Sequence, residues 1–265
     1  MAKRKRYRFT TARNTPRQIQ SRAWKRYTST LRMLSDTASK MLTAYIREGH
    51  TEKEILDYAY ALVTKYGEGA AELACEMYDA LAAYSNAMVE AAVPAATATY
   101  GETARAIKGE MKRTDRVDVI SSAAGRLVKM ASADTMQQNA LRDGAEWAWI
   151  PQGDTCAFCL TLASRGWQKA STDAIRNGHA EHIHNNCDCN YCVRLDPYVS
   201  VEGYDPELYL AMYNSAPGGS PENKINALRR EFYAENREVI NEQKRSAYAK
   251  RMERNSSAAE EINVD

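Results

Sequence analysis

The residues best suited to chemistry are cysteines and histidines gathered in one short part of the chain. Five of the six cysteines and three of the four histidines lie between residues 147 and 200. Cys156 and Cys159 stand three positions apart, and His184, Cys187 and Cys189 form a second group further along the chain. Zinc takes four nitrogen or sulfur ligands at tetrahedral corners, and thiolates are its preferred soft partners. The spacing therefore predicts a zinc site that joins two segments distant in sequence.

The candidate ligands outnumber the four places on a tetrahedral ion. The favoured set is Cys156, Cys159 and His184, completed by either Cys187 or Cys189. A set of reduced thiols without metal is the alternative. The segment is poor in apolar residues, so a bound ion would replace the core that the segment cannot build. We therefore expect one structural zinc ion per chain.

The other cysteines and histidines of the segment, and Cys75, are less favoured as ligands. Cys192 follows the second group closely and is a further candidate ligand. His179 and His182 are expected to lie beside the site or on the surface. Cys75 lies on an apolar helical stripe and is predicted to be simply buried, as unpaired cysteines often are.

Two patterns in the same segment resemble the motifs of enzymes. An H-x-E pattern at 179–181 followed by C-x-x-C at 189–192 resembles the zinc-deaminase signature, but only seven residues separate the two halves. His182 and His184 resemble part of an HNH nuclease motif. A zinc-containing, HNH-like nuclease acting on DNA is therefore the alternative function, and a nucleic-acid-binding regulator is the third. We assign no catalytic residues and expect a protein that is not an enzyme.

The elements that must position these groups are predicted to be mostly helical. Thr51 and Glu54 have the spacing of a capping box, and an apolar helical stripe follows them until Gly67 and Gly69, which are expected to break the helix. Further helical stripes are predicted over 24–41, 73–88, 117–128, 136–147, 205–212 and 225–248. No stretch shows the sustained period-two alternation of hairpin strands. The predicted fold class is mainly α, with a helical N-terminal body, a small irregular zinc-stapled module and a C-terminal helix.

Charge and composition divide the chain into four parts. They are a basic, partly disordered arm at 1–32, a helical domain at 33–146, the Cys/His module at 147–200, and a helical extension with a polar tail at 201–265. Residues 1–35 contain 11 lysines and arginines and no acidic residue, although the whole chain has a net charge of only +2. Such an arm suits nonspecific contact with DNA phosphates, while docking on an acidic protein or having no partner are the alternatives.

The sequence does not decide what the C-terminal helix packs against. Its apolar residues Leu228, Phe232 and Val239 could pair with another protein or fold back on the body. No apolar run in the sequence reaches the roughly 18–20 residues of a membrane span, and the basic N-terminus lacks the apolar segment of a secretion signal. We therefore expect a protein made in the cytoplasm, with no membrane contact.

Four stretches of the cysteine segment resemble a known family. They are Trp149-Ile150-Pro151, the sequences DTCAFC at 154–159 and LASRG at 162–166, and the closing H-x-x-C-x-C motif at 184–189. In this order they resemble the C-terminal module of tailed-phage minor capsid proteins similar to the phage Mu F head-morphogenesis protein. The resemblance covers residues 147–195, and Cys192 lies outside the family's usual motif.

The resemblance implies a structural zinc module in a low-copy head protein. Proteins of this family associate with the portal or the inner capsid wall and take part in head assembly or DNA delivery. The resemblance thus implies a virion protein of a tailed phage or prophage, made in the cytoplasm of a bacterial host. The implied partners are the portal protein, the major capsid protein or both.

Overall fold

The computed structural model describes residues 17–19, 21–152, 156–172, 187, 189–235, 237–238, 241–242 and 245. Its helices, numbered in chain order, are α1 (Ser21–Arg47), α2 (Glu52–Tyr84), α3 (Tyr100–Met111), α4 (Val117–Asp143), α5 (Ala157–Ala163), α6 (Pro206–Ser215) and α7 (Pro221–Glu235). Its strands are β1 (Arg17–Ile19), β2 (Glu146–Ile150), β3 (Gln168–Lys169), β4 (Asn190–Arg194) and β5 (Val199–Val201). Most of the described chain is helical, so the predicted mainly α fold class is confirmed.

The long helices α1, α2 and α4 pack against one another, and the shorter α3 lies against α2 and α4. Helix α2 begins at the predicted capping box: the Thr51 hydroxyl accepts from the Glu54 N–H (3.4 Å), and the Glu54 carboxylate accepts from the Thr51 N–H (2.8 Å). Thr99 and Glu102 form the same arrangement at the start of α3. Each box satisfies backbone N–H groups that a helix start leaves without partners, so both helices begin at defined residues.

Helix α2 continues through the two glycines that were expected to end it. The prediction of a break at Gly67 and Gly69 is wrong, because α2 runs without interruption to Tyr84. A Cβ atom added to Gly67 would lie only 2.9 Å from Cγ2 of Thr97. This glycine therefore allows the close approach of the irregular segment 85–99, and its role is in packing rather than in a turn.

Helix α4 contains most of two apolar stripes that the sequence predicts as separate helical stretches, at 117–128 and 136–147. It runs from Val117 to Asp143 and ends at Gly144, which has a φ of 63°. Glycine tolerates this left-handed conformation, which closes many helix ends. Trp147, predicted on the last stripe, lies instead in β2.

Strand β2 is the centre of a three-stranded antiparallel sheet with the order β3-β2-β4. Glu146 lies opposite Arg194, and Ile150 lies opposite Asn190. Four of the five residues are buried in each of β2 and β4. Both faces of these strands are therefore covered, and their apolar residues do not alternate with polar ones. The structure thus corrects the expectation that this segment holds no strands.

One apolar core joins the helical body and the cysteine segment. It extends from Trp24 in α1 to Leu228 in α7 and includes Trp147, Trp149 and Val193. The prediction that the cysteine segment is too poor in apolar residues to build a core is therefore wrong. A second core lies among the end of α1, the starts of α2 and α4, and α3. The segment at 147–200 shares the core of the body and does not depend on a metal ion alone.

Both ends of the described chain pack on the body, and α1 confirms the helix predicted from Trp24. Residues 21–32, assigned to the basic arm, form the first turns of α1, where Trp24 and Leu31 are buried. Residues 1–16 lie outside the described residues. In α7, Leu228 is buried and Phe232 packs against the core, so this part of the helix folds back on the body. Val239 lies outside the described residues, and none of the described helices is long and apolar enough to cross a membrane.

Candidate metal centre

Three thiols meet inside the molecule where the two cysteine groups come together. Cys159 lies in α5, and Cys187 and Cys189 immediately precede β4. Their sulfur atoms all lie within 4.8 Å of one another, and the three residues are only 2–4% exposed. The Sγ atoms of Cys159 and Cys187 are 3.5 Å apart. The fold therefore brings Cys159 together with a pair of donors that begins 28 residues further along the chain.

Cys156 supplies a fourth sulfur beside this group. It is the N-cap residue of α5, and its Sγ accepts a hydrogen bond from the Cys159 N–H at 3.4 Å. The thiols of Cys156 and Cys159 also interact with each other. Cys156 is half-buried, whereas the other three cysteines of the site are buried.

Packing of the thiols strongly disfavours their ionisation in the absence of a metal ion. The pKa of Cys159 is raised by hydrogen bonds with the Cys156, Cys187 and Cys189 thiols and by burial. A bond with Cys159 lowers the pKa of Cys189, but the Cys187 thiol and burial outweigh it and raise the pKa well above its ordinary value. A metal ion removes these protons when it binds, because only the thiolate is a ligand.

Rigid neighbours hold the elements that carry the cysteines. Strand β4 pairs with β2, and the ring of Tyr191 packs edge-on against Trp149 with centroids 4.7 Å apart. The end of α5 is fixed where the Tyr204 hydroxyl donates to the Ala163 carbonyl at 2.9 Å. The thiols are thus positioned by a sheet and a helix that the apolar core keeps in place.

A buried lysine contacts the main chain of one of the cluster cysteines. Lys129 of α4 is 8% exposed, and its ammonium group donates a hydrogen bond to the main-chain carbonyl of Cys187. Sequence reasoning missed this residue. The only signal is a charged residue within a run of small and apolar positions of α4, such as Val128 and Ser132, and that signal does not name a partner.

The structure describes Cys192 and Cys75 but not the three histidines among the other predicted site residues. His184, the favoured imidazole ligand, lies outside the described residues, as do His179 and His182. Cys192 lies in β4 opposite Ala148, where its thiol donates to the Val193 carbonyl at 3.7 Å. Cys192 is fully buried, and burial raises its pKa. Cys75 is only half-buried.

The thiol geometry suits a tetrahedral metal ion. A Zn–S bond of about 2.3 Å places two sulfurs on one ion about 3.8 Å apart. The Cys159–Cys187 separation of 3.5 Å is close to this value, and all three sulfurs lie within 4.8 Å of one another. The group formed by Cys159, Cys187 and Cys189 could therefore bind a metal, and its soft sulfur donors favour zinc over magnesium or calcium. Its burial is typical of a closed structural site.

Comparison with known families assigns the chain. A family model described as VG15 protein matches residues 18–216, which is three quarters of the sequence. The chain belongs to the VG15 protein family. This is a family of viral proteins, and the assignment fits the phage origin that the resemblance implies. Neither curated proteins nor solved structures gave a match.

The VG15 family match covers the helical body and the thiol cluster together. It begins just before α1 and ends just after α6, so it contains Cys156, Cys159, Cys187 and Cys189. It leaves out α7 and nearly all of the residues that precede α1. The region shared with the VG15 family thus coincides with the part of the chain in which the sheet packs on the long helices.

Proposed function

We propose that this VG15 family protein is a structural minor capsid protein of a tailed phage or prophage. It acts in head morphogenesis at the portal or the inner capsid wall, and a zinc ion fastens its cysteine segment. The observation that carries this proposal is the buried cluster of Cys159, Cys187 and Cys189 in a chain of a viral family. The order of the four motifs at 149–189 supports the minor capsid assignment within that family.

Burial of the cluster favours a structural role over a catalytic one. A catalytic zinc site keeps one position open to water or substrate, and that position must be reachable. The three thiols here are 2–4% exposed, and Lys129 lies against the Cys187 carbonyl. A site closed in this way suits a part that keeps its shape during assembly. It gives no support to the nuclease alternative, whose residues His182 and His184 lie outside the described chain.

Thiolates of Cys159, Cys187 and Cys189 would hold the ion, with Cys156 as the nearest fourth sulfur. Bound zinc would supply strong, direction-specific bonds between thiolates that otherwise repel one another. The protein's own contribution is to fix the start of α5 against the segment that leads into β4. This linkage would keep the exposed surface of the module constant for a portal or capsid partner.

The exposed face of α1 extends the proposed role to DNA. Arg22, Lys25, Arg26 and Arg32 are exposed on its first turns, directly after the basic residues that begin the chain. Two of these cations form solvent-exposed ion pairs, Lys25 with Glu202 at 3.9 Å and Arg32 with Asp36 at 4.0 Å, and water weakens such pairs. Cations held on a helix in this way suit sequence-independent contact with the phosphates of packaged DNA.

The function is tested by removing the gene from the phage and supplying it from a plasmid. Purified particles are then analysed by mass spectrometry, and filled heads are counted by electron microscopy. We expect the wild-type chain in the particles at low copy number and few normal heads without it. The Cys159→Ser variant should fail to restore heads, whereas the control Cys75→Ser, outside the cluster, should restore them.

Two results would overturn the proposal. The first is normal head formation without the protein, together with its absence from purified particles. The second is nicking of plasmid DNA by the purified protein with Mg²⁺ or Mn²⁺ that is abolished by His182→Ala. The second result would establish the nuclease alternative.

A further inference from the structure

Lys129 is a cation in a place where a protein rarely keeps one. It lies in the middle of α4, is 8% exposed, and is flanked by buried residues of the same helix. No carboxylate of the described residues lies within 4.0 Å of its ammonium group. Burying an ammonium without a counter-charge is costly, and such groups persist only where something compensates them.

The hydrogen bond of Lys129 indicates where that compensation lies. The ammonium donates to the main-chain carbonyl of Cys187, a residue whose thiol belongs to the buried cluster. A carbonyl accepts a hydrogen bond from an ammonium but does not neutralise its charge. The neighbouring thiols do so once they are thiolates, because three or four thiolates around a divalent ion leave a net negative charge.

We propose that Lys129 is the counter-cation of a metal–thiolate centre, a positioning residue that strengthens metal binding from helix α4. This inference rests on the proposed zinc centre and adds a specific role for a residue outside the ligand set. The charge of Lys129 stabilises the thiolate form of the cluster, and its hydrogen bond holds the segment before β4 against the helical body. The metal-loaded state is thereby linked electrostatically to the long helices.

Three variants separate the charge of Lys129 from its hydrogen bond. Lys129→Gln keeps a donor for the Cys187 carbonyl but has no charge, Lys129→Arg keeps both, and Lys129→Met removes both. Lys40→Met, at an exposed position of α1, is the matched control. Zinc affinity is measured by competition with a chromophoric chelator, and melting temperatures are measured with and without zinc.

We expect Lys129→Gln and Lys129→Met to bind zinc about 10- to 100-fold more weakly, the range seen when groups that support metal ligands are lost. Lys129→Arg and Lys40→Met should bind it as the wild type does. Without zinc, Lys129→Gln should melt no lower than the wild type, because the uncompensated charge has gone. If Lys129→Met does not fold, the comparison of Lys129→Gln with Lys129→Arg still decides the question.

Wild-type zinc affinity in Lys129→Gln would overturn the proposal, since the hydrogen bond alone would then explain the position of Lys129. An equal loss of stability in Lys129→Gln with and without zinc would also overturn it. A wild-type chain that binds no zinc would instead overturn the metal centre itself, together with this inference. The measurements therefore distinguish failure of the Lys129 proposal from failure of the zinc-centre proposal.

Discussion

At the scale of single residues, a buried hydrogen bond joins two of the long helices. The hydroxyl of Tyr27 in α1 lies 2.7 Å from the hydroxyl oxygen of Ser132 in α4, and both residues are buried. Burial raises the pKa of Tyr27 above 10.0, although the bond with Ser132 opposes this effect. Tyr27 is therefore held in its neutral form in the folded protein.

The raised pKa predicts a loss of stability in alkali. Because Tyr27 stays protonated in the folded protein, it contributes its full stabilisation at pH values below its unfolded pKa of about 10. That stabilisation is lost as the pH rises from the unfolded pKa through the raised folded pKa. We expect the free energy of unfolding to fall above pH 10 for the wild type. Tyr27→Phe should cost about 1 kcal/mol at pH 7, from the lost hydrogen bond, and should show a smaller alkaline loss.

Urea unfolding at pH 7, 9 and 10.5 measures both effects. Tyr198→Phe is the control, because Tyr198 is 74% exposed. Tyr78 and Tyr204 are also buried with raised pKa values, so part of the alkaline loss should remain in Tyr27→Phe. An alkaline loss identical in Tyr27→Phe and wild type would contradict this account of Tyr27.

At the scale of elements, helices α1 and α4 are in close contact at Gly125. A Cβ atom there would lie 2.4 Å from the Ser39 hydroxyl oxygen and 2.8 Å from the Ser35 carbonyl oxygen. The Ser35 hydroxyl also donates to the Gly125 carbonyl at 3.0 Å. The two backbones can lie this close only because position 125 has no side chain.

We predict that Gly125→Ala destabilises the protein by about 1–3 kcal/mol, because the added methyl group overpacks the contact between α1 and α4. Gly109→Ala is the matched control. Gly109 lies in α3, and a Cβ atom added there would have nothing within 4 Å. Alanine there should be neutral or stabilise by up to about 1 kcal/mol through helix propensity alone. Equal stability of the two variants in chemical unfolding would exclude a close α1–α4 contact.

Local signals in the sequence predicted several elements well. The capping box at Thr51 and the start of α6 at Asp205 and Pro206 depend on neighbouring residues only, and both are confirmed. The path of α2 through Gly67 depends instead on Thr97, which is distant in sequence. Strands β2 and β4 are covered on both faces, so they lack the alternation by which strands are recognised.

The thiol cluster was likewise only partly predictable from the sequence. Cysteine spacing indicated which residues could meet, since few other roles explain five cysteines in one segment. It left several ligand sets open, because the choice depends on how α5 and β4 pack. Lys129 could not be found in this way, since its partner is a main-chain carbonyl, which no sequence motif reveals.

At the scale of the whole molecule, charge is separated between a basic start and a mildly acidic remainder. We predict that deleting residues 1–16, which leaves β1 and α1 intact, lowers nonspecific retention of DNA at low salt. Replacing both Arg26 and Arg32 by alanine should lower it further and reduce the salt dependence, since a chain that neutralises fewer phosphates releases fewer counterions. Lys112→Ala, at the exposed turn after α3, is the control and should have no effect.

Electrophoretic mobility shifts over a series of salt concentrations measure this retention. Equal binding by the full chain and the truncated chain at low salt would contradict a DNA-contacting role for the N-terminal region. In that case, the basic residues would remain available for an acidic protein surface.

Because the cysteine segment and the helices share one core, the metal centre should affect the stability of the whole protein. The cysteine segment and the long helices bury their apolar side chains in one cluster, so loosening the thiols should weaken both. We expect removal of the metal to lower the melting temperature seen by far-ultraviolet circular dichroism, which reports on the helices, as well as that seen by tryptophan fluorescence.

Native mass spectrometry of the purified full chain, before and after a strong chelator, tests the central claim most directly. We predict about one zinc ion per wild-type chain, lost in Cys159→Ser and Cys187→Ser and retained in Cys75→Ser. The metal-free forms should melt at a lower temperature. A wild-type chain that carries no metal and melts at the same temperature with or without added zinc would contradict the account.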